Sequence, residues 1–385
     1  MIAYSLMMAG TSMMVLLAGI IGTEFAPSTD LATLPIALVV VGVAASTLPT
    51  GKLLQRYGRR RIFIAYGFIA ITAALVAMLS LITDSFTGFC LAAIMMGWAG
   101  AAGHQYRFAA LEAVPAEQAA RATSFLLLGG ILAAFVGPEL AVRGRGLLDT
   151  EYAGSFLLLS LSYVAGLLII SFYRDAGLKQ TAGHGSGRPL SEILRSQTIL
   201  LAISAAALGY GVMSFIMTAT PISMHVHAGH SLDATKFVIQ SHIAAMYLPS
   251  LVFAWLFSKV GFRGMLWSGV CVYGVCLGIA AINTDFLNYW LALVLLGIGW
   301  NFLFLSGTNL LARGYRREER FRVQSMNDFL VFSIQAIVSL SSGWFLFHWQ
   351  WRGVLLACIP MVLGFAVFLW LSKNPDGRVA LSNQS

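Results

Sequence analysis

Apolar residues in this chain come in long unbroken runs, and polar residues gather in short clusters between them. Twelve runs reach the roughly 20 mostly apolar residues that a membrane helix needs. They lie near 3–26, 31–50, 62–82, 86–108, 121–142, 152–173, 196–222, 233–258, 264–283, 287–312, 323–347 and 352–372. The runs are continuous rather than alternating, so the strand period is not the one being written. Only helices and closed barrels satisfy every backbone group in hydrocarbon. The pattern therefore predicts an all-α membrane protein of twelve transmembrane helices. The first run opens MIAYSLMMAG, lacks a positive flank and continues to about Phe25, so it reads as a span and not as a cleaved signal.

Composition agrees. Apolar residues make up 58% of the 385 and charged residues only 10%, against about 25% charged in a soluble domain. The formal charge of +8 points to topology and not to nucleic acid. With the amino terminus inside, the inner loops and ends take all but four of the 24 Lys and Arg, the exceptions being Arg143, Arg145, Lys236 and Arg352. That bias orients both termini to the cytoplasm. The four cysteines lie within apolar runs and form no CxxC pair, so they read as small buried apolar residues.

The longest polar segment divides the chain. It gives an N-terminal six-helix bundle over 1–173, a cytoplasmic linker over 174–195, a C-terminal six-helix bundle over 196–373 and a cytoplasmic tail over 374–385. The halves echo each other. Arg56, Gly58 and Arg60 after span two match Lys259, Gly261 and Arg263 after span eight at an offset of 203. Glu117, Arg121 and Ser124 match Glu318, Arg322 and Ser325 at an offset of 201. Two loops with nearly one offset indicate a parallel repeat of six helices.

The segment GKLLQRYGRRRI, with Gly51, Arg56, Gly58, Arg59 and Arg60, resembles the loop motif of the major facilitator superfamily. That resemblance implies a major facilitator fold working by alternating access, with spans one, four, seven and ten lining the cavity. The departure is Gln55, where the family usually has Asp. Asp328, at the inner end of span eleven, is a candidate negative partner for Arg59 or Arg60.

A charge at mid-depth is costly and usually functional, and no carboxylate clearly sits there. Glu24 and Glu139 lie towards outer ends, and Glu112 and Asp328 towards inner ends. Arg107 reads as a structural partner of Glu112 or as an anchor for an anionic substrate. Asn301, Asn309 and Asn327 either bind an organic substrate or satisfy neighbouring helices, the second being favoured.

The other polar chemistry is soft. Met213 and Met217 are four apart on span seven, and His242 and Met246 repeat that spacing on span eight. Each pair shares a helix face, and the two overlap in depth. Thioethers suit Cu(I), whereas zinc sites rarely use them. Met224, His225, His227 and His230 follow in the outer loop as possible collectors of metal. Methionine also fills gaps in apolar cores, and the pair count is close to chance, so packing is the competing reading.

The motifs MSFIM and HIAAM resemble the M-x3-M and H-x3-M motifs of the CcoA-type copper importers, a bacterial branch of the same superfamily. The resemblance implies that Met213, Met217, His242 and Met246 bind copper during uptake. A sister group on this fold imports riboflavin. The expectation is a secondary transporter of the inner membrane that imports copper. The alternatives are an importer of riboflavin or another small organic nutrient, and an exporter of small amphipathic compounds. No enzyme activity, cofactor or nucleic-acid partner is expected. Copper would be cargo, lipid the surroundings, and the protein a monomer.

Overall fold

A computed structural model describes residues 1–112, 119–173, 187–316 and 319–373. The side chains of Gln55, Arg107 and Glu112, the match at Glu117, Arg121, Ser124 and Glu318, linker residues 174–186 and the tail lie outside what is described. Eleven long helices follow in order among the described residues. They are α1 (Ile2–Phe25), α2 (Leu34–Tyr57), α3 (Arg59–Ile82), α4 (Phe86–Glu112), α5 (Ala119–Gly144), α6 (Ala153–Ser171), α7 (Gln197–Pro221), α8 (Leu232–Tyr247), α9 (Ser250–Ile282), α10 (Phe286–Gly314) and α11 (Arg320–Leu371).

Eleven helices among the described residues hold twelve spans because α9 and α11 each fold back on themselves while span eight is shared between α8 and α9. At 1.5 Å per residue, the 52 residues of α11 would measure ~78 Å, more than twice the ~30 Å hydrocarbon core. The helix instead reverses at Gln350, where φ is 55° and ψ −166°. Likewise α9 reverses at Gly261, with φ 66° and ψ −172°. Span eight is expected as one helix over 233–258, and the structure breaks it between α8 and α9. Pro249 has no N–H to donate and crowds the carbonyl four residues back, and Leu248 makes the last α8 bond, to the Ala244 carbonyl at 2.9 Å. Nine helical stretches among the described residues are long and apolar enough to cross a membrane. Element α8, at 16 residues, is too short for that criterion by itself, and α11 counts once for two spans.

The sequence repeat is a backbone repeat. Gly58 joins α2 to α3 with φ 80° and ψ 161°, a positive-φ geometry that Gly261 shares. L side chains rarely adopt it. Two residues later, Arg60 donates to the Ser171 carbonyl at 2.9 Å, and its counterpart Arg263 donates to the Ser372 carbonyl at 3.0 Å. Each guanidinium thus sits at the carboxyl end of a half's last helix, where the helix dipole is negative. The expected charge partner for the arginine pair, Asp328, accepts a hydrogen bond from Asn327 at 3.1 Å. Gly51 has open space around it, so close packing does not demand a glycine there.

Helix α1 packs on α5 and α6, and α2 and α3 both pack on α4. In the second half, α7 packs on α10 and α11, and α10 on α8 and α9. The two sets meet where α2 lies on α11, α5 on α8 and α1 on α7. Of the cysteines, Cys276 and Cys358 are buried and Cys90 half-buried. Cys271 is exposed on the bundle surface, contrary to expectation, since a thiol tolerates a lipid-facing position as well as a core one.

Candidate substrate site

A cavity of ≈ 200 Å³ lies between the two sets of helices. A single water needs about 10–15 Å³, so the space suits an organic molecule rather than one ion. Its two walls differ. From α1, α2 and α5 come Val15, Val39, Val43, Gly130, Ala133 and Ala134, a largely apolar face to which α1 adds Tyr4, Met8, Thr11 and Ser12. Ser12 on that side is already engaged, donating to the Ala133 carbonyl at 2.7 Å. From α7, α8, α10 and α11 come Tyr210, Tyr247, Trp300 and Phe332, together with Ser214, Thr218, Gln335 and His242. The polar and aromatic chemistry is concentrated in the second half. Among the described residues, no charged side chain lines the cavity.

The rings make one cluster. Tyr210 meets Trp300 edge to face at 5.2 Å and Phe332 at 5.6 Å, while Trp300 stacks on Phe304 at 4.7 Å. Such contacts add to area burial and fix ring orientation. Hydroxyls join α7 to α11 beside them. Gln335 donates to Ser214 at 3.2 Å, Thr218 and Ser339 share a hydrogen bond at 2.9 Å, and Ser342 donates to the Phe215 carbonyl at 2.7 Å.

His242 is set by its neighbours. Ser231 caps the start of α8, its hydroxyl accepting from the Ala234 amide at 3.1 Å. Gly297 on α10 lets α8 approach closely, because a Cβ there would stand 2.6 Å from the His242 carbonyl oxygen. The His242 ring lies 2.8 Å from the Leu293 carbonyl through Nδ1. A carbonyl only accepts, so Nδ1 carries a proton towards it and Nε2 is the ring's remaining nitrogen. That atom is buried without a hydrogen-bond partner, as is Trp300 Nε1. Their residues are only 1% and 4% exposed, and a buried polar atom left unmet costs roughly 1–3 kcal/mol.

The structure brings Met213, Met217, His242 and Met246 to this one cavity. The methionines of α1 divide: Met8 lines the cavity, whereas Met13 and Met14 are core. The outer cluster does not form the collecting loop the sequence suggested. Met224 is fully buried in a π-helical turn over Ile222–His227. His225 Nδ1 is tied to the His230 carbonyl at 2.7 Å and His230 Nε2 to the Thr284 carbonyl at 2.8 Å. His227 lies edge-on to Phe347. Among the described residues, no three His, Cys, Asp or Glu side chains are grouped to hold a metal. Asn301 serves its neighbours, donating to the Met246 carbonyl at 2.7 Å and to Ser250 at 2.8 Å, and so pins the break between α8 and α9.

The aromatic wall escaped the sequence reading, although a signal was present. Tyr210, Tyr247, Trp300 and Gln335 each stand near the middle of a predicted span. Trp and Tyr ordinarily sit at membrane interfaces, and transporter sites lie near the midplane.

A helical membrane protein with a central cavity between two repeated sets of helices belongs to the class of secondary transporters. The model of the Major Facilitator Superfamily matches residues 1–334. The chain belongs to that superfamily and is a multi-pass transporter of the inner membrane, not an enzyme. It is 33% identical to the riboflavin transporter RfnT of Brucella anthropi over 98% of this chain and 96% of that one. It is 30% identical to the MFS-type transporter YdeG of Bacillus subtilis, over 84% of this chain and 79% of that protein. Among solved structures, it resembles a bacterial homolog of the human lysosomal transporter Spinster, in an inward-facing and unoccupied conformation. The TM-score is 0.74 at 14% identity, covering 96% of this chain and 94% of the other, a likeness of fold.

Proposed function

We propose that this transporter imports riboflavin or a closely similar planar, uncharged nutrient into the cytoplasm. The carrying observation is the cavity, which is large for an ion, lined by four aromatic rings on one wall and free of charged side chains among the described residues. Flat rings stack on such a wall, and an uncharged wall offers nothing to neutralise a phosphate or carboxylate. The likeness to RfnT along nearly the whole chain supports the same reading. Transport proceeds by rocking of the bundle 1–173 against 196–373 about this cavity, with both termini cytoplasmic.

Copper import is the second reading, and one observation favours it: Met213, Met217, Met246 and His242 all reach the cavity. Of the relatives described above, the one named for a substrate is named for riboflavin, so the organic reading stands first. Expression in a riboflavin auxotroph tests it. Growth at low external riboflavin and saturable uptake of the labelled vitamin are expected. Copper accumulation without riboflavin uptake reverses the order of the two readings, and depletion of cellular riboflavin makes the protein an exporter.

A further inference from the structure

Span eight breaks where it borders the cavity, and one side chain of α10 bridges the break. Pro249 has no amide to offer the Ala245 carbonyl. The chain turns through two tight bonds, Leu251 to the Leu248 carbonyl and Val252 to the Pro249 carbonyl, each at 3.1 Å. The Met246 carbonyl, which an unbroken helix would pair with the Ser250 amide, accepts from Asn301 Nδ2 at 2.7 Å. The same nitrogen donates to Ser250 Oγ at 2.8 Å. An amide nitrogen carries two hydrogens, so one goes to the last turn of α8 and the other to the first residue of α9. Asn301 is 1% exposed, which keeps water from standing in for either bond.

The turn held in this way is cavity wall. Met246 and Tyr247 end α8, and both line the cavity. Helix α10 meets that turn at two points four residues apart. At Gly297 a Cβ would stand 3.0 Å from the Met246 amide nitrogen, and Asn301 ties the Met246 carbonyl. Tyr247 lies edge to face with Trp300, ring centres 6.5 Å apart. On its other side is Gly130 of α5, where a Cβ would stand 3.3 Å from the tyrosine ring. Gly130 and Trp300 also line the cavity and belong to opposite halves. The half-buried Tyr247 ring therefore stands where the two halves meet beside the substrate space.

Resting on the riboflavin reading, we infer that Asn301 is a positioning residue of the substrate site. It acts through Tyr247, keeping that ring between Trp300 and Gly130 as a surface on which flat cargo lies. Asparagine suits the task because its two hydrogens reach both sides of the break. A leucine of similar size leaves the Met246 carbonyl unpaired, and the end of α8 is then free to shift with its ring.

The test measures KM and Vmax for labelled riboflavin in cells carrying the wild-type chain, Asn301→Leu, Tyr247→Leu or the double variant, with inserted protein quantified by immunoblot. Asn301→Leu should raise KM about tenfold, the effect of one lost buried hydrogen bond, with Vmax per inserted protein within about threefold of wild type. Tyr247→Leu should raise KM to a similar degree. The double variant should be close to Tyr247→Leu alone, because residues that act as one unit are not additive. Should Asn301→Leu fail to insert, Asn301→Ser, with one hydrogen to give, carries the same expectation at about threefold. An unchanged KM in the Asn301 variants, or an equal further rise in the Tyr247→Leu background, overturns the inference while leaving riboflavin import intact. So does a fall in Vmax at constant KM, which would make the break a hinge of the rocking step. Absence of saturable riboflavin uptake by the wild type overturns the functional reading and the inference together.

Discussion

Lys236 on α8 reaches Glu139 on α5 at 3.0 Å, joining the first half of the molecule to the second. Both lie near the ends that the basic loops mark as external. Arg143 approaches the same carboxylate at 3.1 Å from one turn along α5, and Asp233 approaches Lys236 at 3.1 Å. The four charges form a small network across the external mouth. Gln240, one turn deeper, donates to the Phe135 carbonyl at 3.4 Å.

Breaking that latch should favour opening on the external side. The pair is partly exposed, with side-chain accessibilities of 16% and 37%, so about 1 kcal/mol or less is at stake. Lys236→Met should therefore shift the conformational ratio by a factor of about two to five. Modification of a cysteine placed at Ser12, in the cavity, by an impermeant reagent added outside measures it. A rate unchanged from the Ser12→Cys parent would remove the latch from the mechanism. Combining Glu139→Lys with Lys236→Glu should restore part of the slow rate.

The two positive-φ glycines should be sensitive in the same way. Replacing Gly58 or Gly261 by Ala forces a side chain into backbone geometry that costs roughly 1–3 kcal/mol. Each single variant should lower the thermal midpoint of the purified protein in detergent. Because the sites lie in separate loops, the double variant should show close to the sum of the two shifts.

Met213→Leu and Met217→Leu separate the two cargo readings. The swap conserves volume and apolarity and usually costs under about 1.5 kcal/mol. Riboflavin uptake should stay within about threefold of wild type in both variants. Cellular copper measured by mass spectrometry should not change, whereas a copper importer would lose accumulation with either substitution.

An ion pair on the cytoplasmic side predicts a pH window. The Arg188 guanidinium lies 2.8 Å from the Glu319 carboxylate, which also accepts from the Arg316 amide at 2.9 Å. Hydrogen bonding from Arg188 is the main reason that the Glu319 carboxyl is held at about 2 against an ordinary 4.5. A depressed carboxylate contributes its full stabilisation above the ordinary value and loses it as pH falls towards the depressed one. The contact between the end of the linker and the start of α11 should therefore be constant from pH 8 to pH 5 and weaken only below about 4.5. Limited proteolysis near Arg188 should be equally slow at pH 8 and pH 5 in the wild type. Glu319→Gln should speed it at both.

Much of this architecture was legible in order along the chain. Twelve apolar runs, the basic bias of the loops and the pairing of Gly58 with Gly261 are local, one-dimensional signals, because hydrocarbon thickness, surface charge and backbone sterics act segment by segment. The depth of a residue was legible for the same reason, and Met213, Met217, His242 and Met246, read at overlapping depth, all line the one cavity. Facing was not. Whether a tyrosine or tryptophan in a greasy helix meets lipid, core or cavity depends on how that helix is rotated against its neighbours. Tyr210, Trp300 and Gln335 gained their significance only there, and Met224 lost the exposure assumed for it. The bond from His242 to the Leu293 carbonyl belongs to the same level. It joins side chain and backbone from separate helices, so only packing decides how the ring is turned and which nitrogen is left without a partner.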